Sequence, residues 1–305
     1  MMNMAKPHVS VVIPNYCHAR YLDERIQSVL NQTYQNFEVI ILDDCSPDDG
    51  ASRAVIEKYR SNPHVSHIVY NEVNSGGPYK QWAKGADLAK GDLLWIAESD
   101  DYADEHFLEV LVPQFEKNNN VSVAFCRSML FNNKGIIGPA GRKYIQEGII
   151  DGKQFIHDYM HSGTGIVNAS SAVFTKDAFM NISKDYASLK GAGDRLFWIL
   201  LAEKGDVVFV EKPYNYFRDH SANTTKKCNT NGINQKEDKL IFDYICQKGY
   251  IPPREIPRLV REYVRVHIFE MITDKKLKKE LYKIWNFPLW DQWLMRAQYW
   301  LKKCG

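Results

Sequence analysis

The sequence predicts an α/β protein: a mostly parallel sheet flanked by helices, followed by a helical C-terminal extension. From Val9 to about Phe125, short apolar runs alternate with stretches of helical period, and each run ends in a polar loop. The runs are continuous rather than alternating, as expected of strands buried on both faces. Strands separated by helices of this length imply βαβ units. On a prior of roughly 150 residues per domain, the 305-residue chain is read as one α/β unit over residues 1–225 and a helical extension over 226–305.

Taken in order, "VSVVIP" is a strand, "YLDERIQSVLNQ" a helix, "FEVIILDD" a strand and "GASRAVIEKYR" a helix. "HVSHIVYN" and "DLLWIAE" repeat the strand pattern, each followed by a helix, "YKQWAKGADLAKG" and "DEHFLEVLVPQFEKN". The middle is less regular, with a strand "VSVAFC", a hairpin near "FNNKGIIG", a helix from Gly152 to about His161, and the stretch "SGTGIVNASSAVFTKDAF". "GAGDRLFWILLAEKG" suits a buried helix capped by Asp194 and closed by Gly205. "DVVFVEKPYNYFRDH" follows as strand and exit loop, and after about Thr225 the polar connection "KKCNTNGINQK" leads into helices.

Composition excludes several classes. With 45% hydrophobic and 25% charged residues and a net charge of +2, the chain is an ordinary globular protein with no global attraction to nucleic acid. Six scattered cysteines without a CxxC pair indicate neither a zinc site nor a disulfide framework, so a reducing cytoplasm is expected. No stretch is long and uncharged enough to span a bilayer. The tail from Asp274 carries eight Lys/Arg against three Asp/Glu among many tryptophans. Two readings stay open for it: a helix lying in the inner membrane face, or aromatics packed on the domain or on a second copy in a homodimer.

Open sheets of this kind bind ligands beyond the carboxyl ends of their strands. The loops there are "PNYCHAR", "DDCSPDD", "NEVNSGG" and "ESDDYAD". An acidic loop can simply cap a helix. Carboxylates are equally the ligands that Mg²⁺ or Mn²⁺ selects, and two acidic loops on one sheet favour a bound cation over two independent caps.

These stretches resemble the inverting family 2 glycosyltransferases of GT-A fold over about residues 8 to 220. The resemblance rests on "VSVVIPNYCHARYLDERIQSVLNQTYQNFEVIILDDCSPDD", "NEVNSGG", "AKGDLLWIAESDDYA" and "GDRLFWILLAEKG". It implies transfer of a sugar from a nucleotide-sugar donor, by family habit a UDP-sugar, to a hydroxyl of a glycan or lipid-linked acceptor in surface polysaccharide synthesis. It further implies that Pro14, Asn15 and Tyr16 line the nucleoside pocket and that Asp44 accepts a hydrogen bond from the base. Asp100 and Asp101 match the motif that holds the divalent cation, Mn²⁺ or Mg²⁺, and the ribose. Where relatives show Asp-x-Asp this chain has Glu98 and Ser99 first, so Glu98 is a reserve ligand. His220 matches a late histidine that reaches the cation or diphosphate, unless it is an ordinary surface histidine. Lys80 is placed to approach the diphosphate, or is a solvated helix lysine, and Trp82 stands where many relatives carry a small polar residue.

Asp194 matches the family's general base, a carboxylate that takes the proton of the attacking hydroxyl; its other reading is the helix cap. A degenerate sugar-nucleotide-binding or membrane-docking module would lack these acids. A sugar nucleotidyltransferase would carry a Gly-rich loop after the first strand, and a redox Rossmann enzyme a GxGxxG; "PNYCHAR" contains no glycine.

Overall fold

The computed structural model describes residues 8–141, 144–220 and 231–304. Its first half is β1 (Val9–Asn15), α1 (Ala19–Leu30), β2 (Phe37–Asp43), α2 (Ala51–Glu57), β3 (Val65–Tyr70), α3 (Pro78–Leu88) and β4 (Leu93–Ile96). These four strands pair in parallel in the order β3-β2-β1-β4. Every residue of β1, β2 and β4 is buried, which is why their runs are apolar without alternation. Within the strands the pleat still sorts side chains. Val12, Ile40, Leu42, Leu94 and Ile96 face the layer containing α3. Val11, Ile13, Val39, Ile41 and Trp95 face the layer containing α1.

The second half is β5 (Tyr102–Ala103), α4 (Phe107–Lys117), β6 (Val121–Asn132), β7 (Gly135–Pro139), β8 (Gly148–Ile150), α5 (Gly152–Tyr159), β9 (Ala172–Thr175), α6 (Lys176–Met180), α7 (Gly193–Ala202) and β10 (Asp206–Arg218). Here the sheet is mixed. β9 lies antiparallel between β4 and β6, β6 and β10 run parallel, and β5, β7 and β8 pair antiparallel at the far side. β9 is a four-residue strand between a 3-10 turn at Ala169–Ser171 and the α6 cap at Thr175. A four-residue strand is too short to show a hydrophobic period in the sequence.

The extension forms α8 (Ile233–Gln247), α9 (Ile256–Tyr263) running into a π-helical stretch at Val264–Glu270, α10 (Lys275–Ile284) and α11 (Leu289–Cys304). Ile241, Phe242, Ile245, Tyr263 and Trp285 join the same apolar cluster as Phe174, Phe197 and Trp198 of the α/β unit. Trp285 stacks on Tyr263 with ring centroids 4.0 Å apart, and its indole donates to the Gln235 carbonyl at 3.0 Å. The tryptophan-rich tail therefore divides. Leu281, Tyr282, Trp285 and Phe287 pack inward, whereas Leu289, Trp290 and Trp293 are 81%, 66% and 59% exposed. Among the described residues no helix is long and apolar enough to cross a membrane. The polar connection after Thr225 lies outside the described residues up to 230.

α3 is seated by a glycine. A Cβ at Gly85 would sit 2.3 Å from Val12 Cγ1 in the middle of β1, so the helix can approach the sheet only without one. Gly85→Ala is expected to lower unfolding stability by about 1–3 kcal/mol despite the gain in helix propensity, measured by urea denaturation. Unchanged or raised stability would mean that α3 can lift off the strand at no cost.

Candidate active site

The loop after β4 places three carboxylates at the end of a fully buried strand. Asp101 is wholly buried. Its Oδ2 accepts from Asn168 Nδ2 at 2.9 Å and Ser170 Oγ at 2.8 Å, and its Oδ1 accepts from the Arg218 backbone N–H at 3.0 Å. Burial, then the neighbouring Asp100, push it up to about 6 against the pull of Arg25. Arg25 is itself fully buried, 4.0 Å from Asp101 Oδ2, and donates from Nε to the Glu98 carbonyl at 2.9 Å. Glu98 accepts from the Trp82 indole at 2.8 Å. Burial, then Asp100, raise its carboxyl to about 8.

Asp100 is turned the other way. Its Oδ2 lies 2.9 Å from His220 Nε2, and Arg218 Nε holds its carbonyl at 2.7 Å. Burial raises its pKa, but the His220 hydrogen bond with the His18 and His220 charges outweighs that, and the net shift is downward. His18, Asp100 and His220 each offer a ligand atom, all within 4.8 Å of one another. Two imidazoles and a carboxylate with partial exposure are a donor set that fits a first-row divalent cation. Burial pushes the His18 imidazole down, with Asp100 opposing.

Next to this cluster β1 and β2 end side by side, with Asp44 N–H donating to the Asn15 carbonyl at 2.9 Å. Asn15 Nδ2 donates to Asp43 Oδ1 at 2.7 Å, and Ser46 Oγ donates to the same oxygen at 2.7 Å while receiving the Cys17 N–H at 2.9 Å. Cys17 and Cys45 both adopt φ of 59°, a left-handed conformation that turns the chain sharply beyond each strand at a steric cost. Pro14 is buried within β1, and Tyr16 is 46% exposed beyond it. Asp44 is buried and organises the loop before α3. Its Oδ1 accepts from Asn71 Nδ2 at 2.6 Å, Ser75 N–H at 2.9 Å and Gln81 Nε2 at 2.9 Å, and its Oδ2 accepts from Ser75 Oγ at 2.7 Å.

Asp194 lies in the first turn of α7, but it is not the cap. The cap position is Ala192, which makes no side-chain bond, and among the described residues Asp194 Oδ1 accepts from the adjacent Arg195 N–H at 2.8 Å. The amides ahead of the helix are satisfied instead by Glu237 of α8, whose carboxylate accepts from Lys190, Gly191 and Ala192, each at 2.8 Å. The Asp194 N–H donates to Tyr79 Oη at 3.0 Å. Burial first, then Asp238, raise the Asp194 carboxyl to about 6 against the Arg195 N–H and charge. Next to it, Arg195 pairs with Asp238 at 2.5 Å, and Tyr263 donates to the other Asp238 oxygen.

One turn of α3 ties these parts together. Tyr79 holds Asp194, Gln81 holds Asp44 and Trp82 holds Glu98, with the Tyr79 and Trp82 rings edge to face at 5.0 Å. The structure thus gathers Asp100 and His220 in one cluster and adds His18, which sequence reasoning missed although its loop was singled out. Asp101 is not in that cluster; its carboxylate accepts three hydrogen bonds from within the protein instead. Lys80 is exposed and donates to the Ser75 carbonyl at 2.7 Å, fastening its own loop. Arg25, Arg218, Tyr79 and Glu237 were also missed; an arginine or glutamate in an amphipathic helix carries no local mark of a partner far along the chain. A separate cleft of about 310 Å³ between α8, α9 and the 285–291 turn has its Lys239 and Arg261 paired with Asp243 and Asp291, and it lacks such a cluster.

A central α/β sheet with acidic loops at its strand ends defines a fold of the GT-A type, and comparison with solved structures agrees. The chain superposes on Staphylococcus aureus TarS 1–349 in complex with UDP-GlcNAc with a TM-score of 0.59 at 19% identity, covering 90% of this chain and 70% of that one. It superposes on the mannosyltransferase PcManGT of Pyrobaculum calidifontis, in complex with GDP-Man and Mn²⁺, with a TM-score of 0.61 at 15% identity, covering 98% and 81%. The family model "Glycosyl transferase family 2" matches residues 10–181, and the chain belongs to that family. Sequence relatives include the glycosyltransferase GlyG of Streptococcus pneumoniae, 33% identical over 36% of this chain and 36% of that one. Another is the putative teichuronic acid biosynthesis glycosyltransferase TuaG of Bacillus subtilis, 36% identical over 32% and 37%. The matched segments span little more than a third of these relatives.

Because Glu237 alone satisfies three amides at the entry to α7, Glu237→Ala is expected to cost about 1–3 kcal/mol in stability and to loosen the turn bearing Asp194. Thermal unfolding together with amide exchange at Gly191 and Ala192 checks this. Protection at those amides equal to wild type would show that the clamp is dispensable.

Proposed function

We propose that this chain is a metal-dependent inverting glycosyltransferase. It would move a sugar from a nucleotide-sugar, a UDP-sugar, to a hydroxyl of a glycan or lipid-linked acceptor in surface polysaccharide synthesis. The observation that carries the reading is the pairing of two differently tuned acidic centres: the Asp100 group, with its two histidines, and Asp194, raised to about 6. The α3 turn links them through Glu98. Relatives named for teichuronic acid synthesis and for poly(ribitol-phosphate) β-N-acetylglucosaminyl transfer support the polymer class. In this reading residues 1–225 are the catalytic unit and 226–305 a helical extension docked on it.

Each residue has a role in that scheme. Pro14, Asn15 and Tyr16 border the nucleoside, and Asp44, its carboxylate taken up by Asn71, Ser75 and Gln81, holds the 71–81 loop in shape beside the base. Asp100 and His220 would hold a divalent cation, which when bound supplies positive charge against the departing diphosphate. Asp101 positions that loop through Asn168, Ser170 and Arg218, and Lys80 fixes the glycine loop on the diphosphate side. Asp194, ionised at neutral pH yet a stronger base than an ordinary aspartate, accepts the acceptor hydroxyl's proton. As the oxygen bonds to the anomeric carbon, the bond from that carbon to the diphosphate oxygen breaks. The nucleoside diphosphate leaves, the proton rests on Asp194, and the configuration inverts.

The exposed part of the tail is proposed to meet the cytoplasmic membrane face. Trp290 and Trp293 stack with centroids 5.5 Å apart on the surface, within a segment carrying five excess positive charges, which suits an anionic lipid interface. Replacing both tryptophans by serine should reduce sedimentation with phosphatidylglycerol vesicles and leave the melting temperature unchanged. Undiminished sedimentation would assign this face to another partner.

The deciding experiment is a binding and turnover screen against UDP-, GDP- and dTDP-sugars, with and without Mn²⁺. One nucleotide should bind with metal, Asp100→Asn should remove that binding, and Asp194→Asn should bind donor normally without transferring sugar. Failure of every nucleotide sugar to bind would end the transferase reading. kcat should fall about tenfold per pH unit below pH about 6, where Asp194 protonates; an acid limb near pH 4 would point to an unshifted carboxylate as base. Because folding raises the Asp194 pKa, its contribution to stability is full at acid pH and lost as pH rises through about 6. Asp194→Asn should therefore melt above wild type at pH 7, and a lower melting point would contradict the assignment.

A further inference from the structure

We propose that His18 is a third protein ligand of the divalent cation, so that the chain binds Mn²⁺ without nucleotide and discriminates against Mg²⁺. The inference rests on the reading above that a cation serves the donor. His18 stands in the loop between β1 and α1, its ring edge to face with Tyr21. It occupies the α1 cap position, yet its side chain makes no cap hydrogen bond, and it is only partly buried. It packs edge to face on His220 with centroids 5.9 Å apart, and its ligand atom falls within 4.8 Å of those of Asp100 and His220.

The ring is already aimed. His18 Nδ1 is engaged with Ser99 Oγ at 2.9 Å, and Ser99 is buried between Glu98 and Asp100. A metal-binding histidine commonly has its second nitrogen fixed in this way, and with Nδ1 so engaged Nε2 is taken as the ligand. The loop that supplies the carboxylate thus also orients the imidazole. An ion held there would join the end of β1 to the end of β10.

Two consequences follow from ligand chemistry. A site with one or two carboxylates relies on substrate phosphates to complete its coordination, whereas three protein ligands hold an ion unaided. Mn²⁺ stands lowest among the first-row ions at a nitrogen-bearing site, yet it accepts imidazole more readily than Mg²⁺, which prefers an all-oxygen shell and parts with water reluctantly.

The test titrates full-length protein with Mn²⁺, without nucleotide, following the electron paramagnetic resonance signal of free Mn²⁺. Wild type should bind one ion, and His18→Gln should weaken binding at least tenfold while its circular dichroism and melting temperature stay close to wild type. Ser99→Ala, which removes only the orienting partner, should weaken it by roughly tenfold. A large excess of Mg²⁺ should fail to displace the Mn²⁺. Equal Mn²⁺ affinity in wild type and His18→Gln, no binding to wild type without nucleotide, or ready displacement by Mg²⁺ would each overturn the proposal. A parallel titration of UDP in the presence of Mn²⁺ separates the two readings. If UDP binds wild type with Mn²⁺ but nucleotide-free Mn²⁺ affinity is equal in wild type and His18→Gln, the transferase reading stands and the His18 inference fails; if neither UDP nor Mn²⁺ binds wild type, both fail.

Discussion

The constraint on which the rest of this structure depends is the burial of a carboxylate-rich loop at the end of β4. Ionised carboxylates lose several kcal/mol of hydration inside a protein unless they are paired or hydrogen-bonded. Here the partners come from separate parts of the chain: Arg25 from α1, Trp82 from α3, Asn168 and Ser170 from the turn before β9, and Arg218 from the end of β10. No one of these elements can stabilise the loop alone. The loop's contacts are therefore complete only when the sheet, including its antiparallel half, is assembled.

A second consequence is the separation of duties within one short acidic motif. Asp101 and Asp100 are adjacent, yet one is enclosed by three donors and the other turns toward two imidazoles. Adjacent residues in an extended or turning segment point in different directions, so an acidic doublet naturally divides into a residue that supports the loop and one that faces the cleft. The α3 turn does the complementary work on the other side. Its contacts with Asp44, Glu98 and Asp194 make the spacing of the centres a property of one rigid helix, itself seated against Val12 through Gly85.

The parallel half of the fold was legible because burial on both faces writes continuous apolar runs into the sequence, and the strand-end rule then selected the loops that carry Asn15, Asp44 and Asp100. What stayed hidden was everything set by pairing across the chain. His18 reads as one histidine in a polar loop, and only folding brings it to Asp100 and His220. Glu237 reads as a surface position of an amphipathic helix, although it caps a turn far earlier in the chain. β9 was invisible because four residues cannot display a period. Asp194 shows the opposite failure: it has the residue type and placement of a helix cap, and the cap is provided by Glu237 instead.

The clamp formed by Glu237, Asp238 and Tyr263 bears on how far this protein can be treated as modular. The family match ends at residue 181, before Asp194, and apart from Tyr79 of α3 the groups that hold the Asp194 turn sit on α8 and α9. Chimeras joined near residue 225 would thus exchange the support of the α7 entry along with the helices. A donor extension could be accommodated only if it returned an acid to meet the 190–192 amides and a second to meet Arg195. In this chain, recombination is limited by a few hydrogen bonds that cross the apparent boundary.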